Sequence, residues 1–174
     1  MHRFEARSES ARASSAAEAR FRINAPNSRP RAIKIVALDR PSEGVVKRLS
    51  EQGTFNNATF LTVPARPVPS GEPFSMAGWL GDLAGRTKDL LKEIDGADHV
   101  VMIATAGEPL DAASVIGEAC SLKRVMTTAL ILTPSLTSDE VLSRSLAQLR
   151  PWSLMLVIAS EEDYIADMLV ALRA

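Results

Sequence analysis

The sequence has little cysteine: Cys120 is its only one. An intrachain disulfide is thereby excluded, and the single thiol fits a reducing, cytoplasmic setting. It also lacks an excess of charge of either sign, with 20 Lys and Arg against 21 Asp and Glu and a net charge of −1. That balance gives no electrostatic basis for binding nucleic acid or an anionic membrane. No apolar run approaches the ~20 residues of a membrane span. Met1 to Ser10 are charged and polar, so no secretory signal is expected there. HExxH, GxSxG, CxxC and P-loop motifs are all missing, so no motif announces zinc, nucleophilic, redox or phosphate chemistry.

What is present suits one domain with a tail. A chain of 174 residues can bury roughly 70% of its unfolded surface and needs no metal to hold a core. Hydrophobic residues at 46% and charged residues at 24% leave enough apolar surface for that core. Residues 1–31 differ from the rest. They are rich in Ala, Ser and Arg, and Asn24, Pro26, Asn27, Ser28 and Pro30 interrupt any helix. The expectation is a disordered basic tail, with a transient helix near Glu9–Phe21, followed by a folded domain over 32–174. The tail reads either as dispensable or as a basic arm that docks a partner. It also has the look of an organelle transit segment, against which its glutamates count.

From Ile33 onward, strands and helices alternate. Strands are expected at Ile33–Leu38, Ala58–Val63, Asp98–Ala104, Met126–Leu132 and Ser153–Ala159. The first helix follows Asp39-Arg40-Pro41, with Ser42 as its cap, Val45, Val46 and Leu49 on one face, and Gly53 at its end. Four prolines between Pro64 and Pro73 predict a loop or an irregular edge. Leu80, Leu83, Leu90, Leu91 and Ile94 predict an amphipathic helix over Ala77–Ile94, softened by Gly78, Gly81 and Gly85. Further helices are expected at Ala112–Ser121, capped by Asp111, from Ser138 and Asp139 to about Leu149, and at Glu161–Leu172. The strands are near-continuous apolar runs, as in a parallel sheet covered on both faces. The fold class is therefore α/β: a doubly wound three-layer sandwich with a five-stranded parallel sheet in order 2-1-3-4-5.

In such a sheet, ligands bind at the carboxyl ends of the strands, beside the switch in strand order. The turns there supply the candidate binding residues: Arg40, Ser42 and Gly44 after the first strand, Thr105 and Gly107 after the third, Thr133 and Pro134 after the fourth. Asp39, Glu108 and Asp111 form an acidic group that resembles magnesium sites. Thr105, however, stands where a phosphoacceptor Asp would end the strand, and no metal ligand is assigned. His99 and Cys120 read as packed side chains. Trp79 reads as ordinary packing or as an exposed contact, and Trp152 lies near the end of an element. No catalytic residue is assigned.

The order of these pieces resembles the nucleotide-binding half of the FtsZ and tubulin GTPase family. The resemblance runs collinearly from about 33 to 165. It is carried by Ile33–Leu38, Gly44–Gly53, Ala58–Val63, Leu91–Gly107, Ala112–Ala119, Thr127–Pro134 and Leu154–Ile158. The family implies GTP or GDP held by glycine-rich loops, and catalytic acids on a loop beyond a long central helix. This sequence departs from both. The first loop is Asp39-Arg40-Pro41-Ser42-Glu43-Gly44, in which Pro41 has no N–H. Where the family has G-G-G-T-G-[ST]-G, only Gly107 precedes Glu108-Pro109-Leu110-Asp111. The chain given ends at Ala174, within the stretch matching the central helix. The resemblance therefore implies a degenerate domain with no cofactor, acting through protein contacts by self-association or partner binding. The alternative is a nucleotide- or small-ligand-binding protein, a GTPase-like enzyme included, that uses the same strand-end crevice. A third reading is an ordinary flavodoxin-like domain.

Overall fold

The computed structural model describes residues 31–64, 78–172 and 174. The expected basic tail and most of the proline-rich stretch lie outside these residues. A single mixed sheet organises the rest. Its strands are β1 (Ile33–Ala37), β2 (Ala58–Thr62), β3 (Leu80–Asp82), β4 (Thr87–Lys88), β5 (His99–Thr105), β6 (Met126–Leu132) and β7 (Met155–Ala159). Their order is β4-β3-β2-β1-β5-β6-β7. The helices are α1 (Arg40–Glu51), α2 (Leu90–Asp95), α3 (Ala112–Lys123), α4 (Asp139–Leu149) and α5 (Glu162–Leu172), with a 3-10 turn over Arg150–Trp152.

The sheet corrects the sequence expectation of five parallel strands in order 2-1-3-4-5. It has seven strands and is mixed. β2, β1, β5, β6 and β7 pair in parallel, and the hairpin β3–β4 adds antiparallel to the β2 edge. The expected helix over Ala77–Ile94 is likewise corrected. Leu80 is buried, but from a strand, and only Leu90–Asp95 is helical. Gly78 and Gly85 have φ of 74° and 77°, which side chains resist and a right-handed helix cannot use. The Asp82 carboxylate closes the hairpin by accepting from Ala84 N–H, Arg86 N–H and the Arg86 guanidinium. Those bonds hold the Asp82 carboxyl below the usual carboxylate range.

Alternation along the strands divides the core into two layers. Val36, Val100, Met102, Ala104, Ala129 and Ile131 face α2, α3 and α4. Ile33, Ile35, Ala37, Val101, Ile103 and Leu130 face α1 and α5 through Val45, Val46, Leu49, Ile165 and Leu169. The result is helix, sheet, helix. Each such aliphatic side chain contributes about 1.5–3 kcal/mol when withdrawn from water. β5 lies at the centre of the five parallel strands, and all seven of its residues are buried. Its first residue, His99, bonds through Nε2 to Thr128 Oγ1 at 2.8 Å. Burial, aided by the nearby Arg31, pushes the His99 pKa down. Cys120 is fully buried on α3, and burial pushes its thiol up to about 12. Among the described residues, no helix is long and apolar enough to cross a membrane.

Candidate functional site

The chain leaves β1 toward β2 on one side and returns to β5 on the other, so the switch in strand order lies between β1 and β5. Their carboxyl ends carry the turns Leu38–Asp39 and Ala106–Asp111. The turn after β1 is built around Asp39. Asp39, in extended conformation, is the N-cap of α1, and its Oδ1 accepts from Ser42 N–H at 2.8 Å. The Ser42 hydroxyl accepts in return from Asp39 N–H at 3.2 Å. This reciprocal capping corrects the sequence reading, in which Ser42 was the cap. Ser42 is the buried third helical residue, and Asp39 holds the end.

The second oxygen of Asp39 has a different partner. Oδ2 accepts from Thr105 N–H, at the end of β5, at 2.7 Å. One carboxylate thus ties the first turn of α1 to the last residue of the central strand. It takes backbone N–H groups from both elements at the switch point. In phosphate-binding α/β domains, N–H groups at a helix start receive the anion. Here Pro41 has none, Ser42 N–H is taken by the Asp39 carboxylate, and Glu43 N–H by the Asp39 carbonyl.

Two cavities flank the switch point, one toward each helix layer. The larger, about 740 Å³, opens between the ends of β1, β2 and β5. Leu38, Val63, Trp79, Pro109 and Val115 give it apolar walls. Asp39, Glu43, Glu108 and Asp111 set four carboxylates there against Arg40. A phosphate charge brought within about 4 Å of one such carboxylate meets a repulsion of about 4 kcal/mol at an effective dielectric near 20. Trp79 is half-buried and precedes β3; it does not open a helix as expected.

The smaller cavity, about 360 Å³, lies toward α1 and α5. Thr105, Thr133 and Pro134 line it with Arg48 and Glu162, which pair across its mouth through Arg48 Nε at 3.0 Å. That bond raises the Arg48 pKa. The Thr105 hydroxyl is buried and has no hydrogen-bond partner among the described residues. The Thr133 hydroxyl donates to the Ala159 carbonyl at 3.3 Å.

The seven candidate residues are therefore not gathered into one cradle. Arg40 lines the larger cavity, and Thr105, Thr133 and Pro134 line the smaller. Ser42 is consumed by capping. Gly44 lies inside α1, where a Cβ would meet Arg48 at 3.4 Å. Gly107, with φ of 91°, turns toward α4 and donates its N–H to Ser145 Oγ at 3.0 Å. A Cβ there would press on Val141 at 3.2 Å.

Asp111 needs a further correction. It precedes α3 in helical conformation and makes no side-chain capping bond. Asp111 is one of the residues that line the larger cavity. Among the described residues, no three His, Cys, Asp or Glu side chains are placed to hold a metal ion.

The signal that sequence reasoning missed is the bonding role of Asp39, read from sequence only as a turn residue and a member of an acidic group. No family model matches the sequence, and no curated protein matches it.

Proposed function

We propose that the chain is a non-catalytic, FtsZ-like cytoplasmic domain that acts through protein–protein contacts, by self-association or by binding a partner. The observation that carries this reading is the double use of Asp39. Its carboxylate accepts from Ser42 N–H and Thr105 N–H, where a bound phosphate would need donors. A nucleotide would have to displace an anion already bonded within the fold, and then sit among Glu43, Glu108 and Asp111. A scaffold of this kind without a usable anion site offers its surfaces in place of its crevice.

Isothermal calorimetry of the full chain with GTP and GDP, with and without magnesium, tests the reading. The expected result is no saturable heat. Micromolar binding of GTP would overturn it.

A second reading has its own support. The larger cavity combines a half-buried tryptophan with apolar walls, and the acidic residues Glu43, Glu108 and Asp111 line it as well. Both features suit a small uncharged or cationic ligand better than a polyphosphate. A thermal-shift screen of neutral and cationic metabolites separates the readings, because a stabilising compound would favour the ligand-binding alternative.

A further inference from the structure

We propose that the β7 edge of the sheet is a self-association surface, on which a second copy of this chain adds its own β7 antiparallel, about a two-fold axis at Val157. The proposal rests on the contact reading above and names the partner.

Among the described residues, β7 pairs with β6 alone. Thr133 N–H donates to the Ala159 carbonyl at 3.0 Å, which turns the backbone of Ala159 toward β6. Backbone groups alternate sides along a strand, so those of Met155 and Val157 share that direction. The N–H and C=O groups of Leu156 and Ile158 therefore point out from the sheet. Met-Leu-Val-Ile-Ala carries no charge and no proline, which are the usual guards of an exposed edge. Its surroundings are apolar and wet: Leu154 is 80% exposed, Ile158 47% and Met155 36%.

A second copy fits this edge because the edge is self-complementary. Antiparallel pairing about Val157 sets Leu156 of each copy opposite Ile158 of the other. These are the two residues with outward backbone groups, so each pair exchanges both of its hydrogen bonds. Val157 then meets its own symmetry mate at a position without hydrogen bonds, where side chains approach most closely. Met155 falls opposite Ala159, long beside small.

The ends match in charge as well. The exposed Arg150 lies before β7, and the exposed Glu161 and Asp163 follow it, beside Glu162, which pairs with Arg48. Antiparallel pairing carries the start of one strand to the end of the other, so the guanidinium end of each copy meets the carboxylate end of its neighbour. A parallel arrangement would set like charges together. Five residues per strand cover less than the ~800 Å² per partner of a standard interface, so the dimer is weak and reversible.

Sedimentation equilibrium of the full chain, from about 5 to about 500 µM, tests this, with a monomer–dimer equilibrium expected. Ile158→Lys changes an exposed side chain, keeps the native circular dichroism and weakens the dimer at least about tenfold. Arg150→Glu also weakens it, and adding Glu161→Arg restores it. Under oxidation, Val157→Cys links two copies by a disulfide, whereas Leu156→Cys does not. Should either cysteine variant fail to fold, Ile158→Lys and the charge exchange still decide.

A folded wild type that stays monomeric at the highest concentration overturns the proposal. So does a dimer indifferent to both Ile158→Lys and the charge exchange. A monomer that still binds a partner protein rejects this surface and keeps the contact reading. Saturable GTP binding rejects the contact reading itself.

Discussion

Asp39 serves two elements with one carboxylate. Oδ1 caps α1 and Oδ2 holds Thr105 N–H, so removal of the side chain leaves donors without partners at both places. An N-cap contributes about 1 kcal/mol, and a hydrogen bond to a charged group about 1.5–3 kcal/mol. Asp39→Ala is therefore expected to lower stability by about 2–4 kcal/mol, read from urea unfolding at neutral pH. A loss below about 0.5 kcal/mol would mean that the bridge is idle.

His99 makes a pH prediction. Its folded-state pKa lies below the ordinary value of 6.5 because the ring is buried. The unfolded chain then binds the proton first as pH falls, so the native state loses stability from about pH 6.5 downward. The urea midpoint should fall between pH 7.5 and pH 5.5 in the wild type. It should fall less in His99→Gln, and equal pH dependence in both would remove His99 as the cause.

At the scale of elements, close packing leaves little room for substitution where α3 meets the 3-10 turn. A Cβ on Gly117 would lie 2.5 Å from the Trp152 Cβ. Gly117→Ala must displace Trp152 and is expected to cost about 1–3 kcal/mol, measured by thermal unfolding. A neutral result would show that the turn yields freely.

The same scale shows what could be read from sequence. Runs such as Ile33–Ala37 and His99–Thr105 have one plausible state, because β-branched residues buried on both faces suit a central strand. Leu80, Leu90 and Ile94 allowed two. Their spacing fits a helix face, yet Leu80 reaches the core from a strand, and Gly78 before β3 and Gly85 in the hairpin turn have positive φ. The sequence contained Gly78 and Gly85 but not the sign of their φ. The cap was ambiguous for a related reason. Asp39 and Ser42 both suit an N-cap, and the bond that ranks them joins residues 39 and 105, far apart in the chain.

At the scale of the molecule, the parallel strands bring the loops after β1, β5 and β6 to one end of the sheet, where sequence reasoning placed all seven candidates. Their dispersal among the turns was not legible. It depends on which N–H groups the fold itself consumes, on the burial of Ser42, and on the turn of Gly107 toward Ser145. At the switch point the fold thus uses the Ser42 and Thr105 N–H groups for its own bonding, which supports the proposal that this domain acts through its surface.

The Ser42 and Thr105 N–H groups belong to Asp39. The most direct test is a titration of isotope-labelled full chain with magnesium and GTP, following the backbone amide resonances of these two residues. Neither resonance is expected to move up to millimolar nucleotide. Saturable micromolar shifts centred on Ser42 and Thr105 would contradict it.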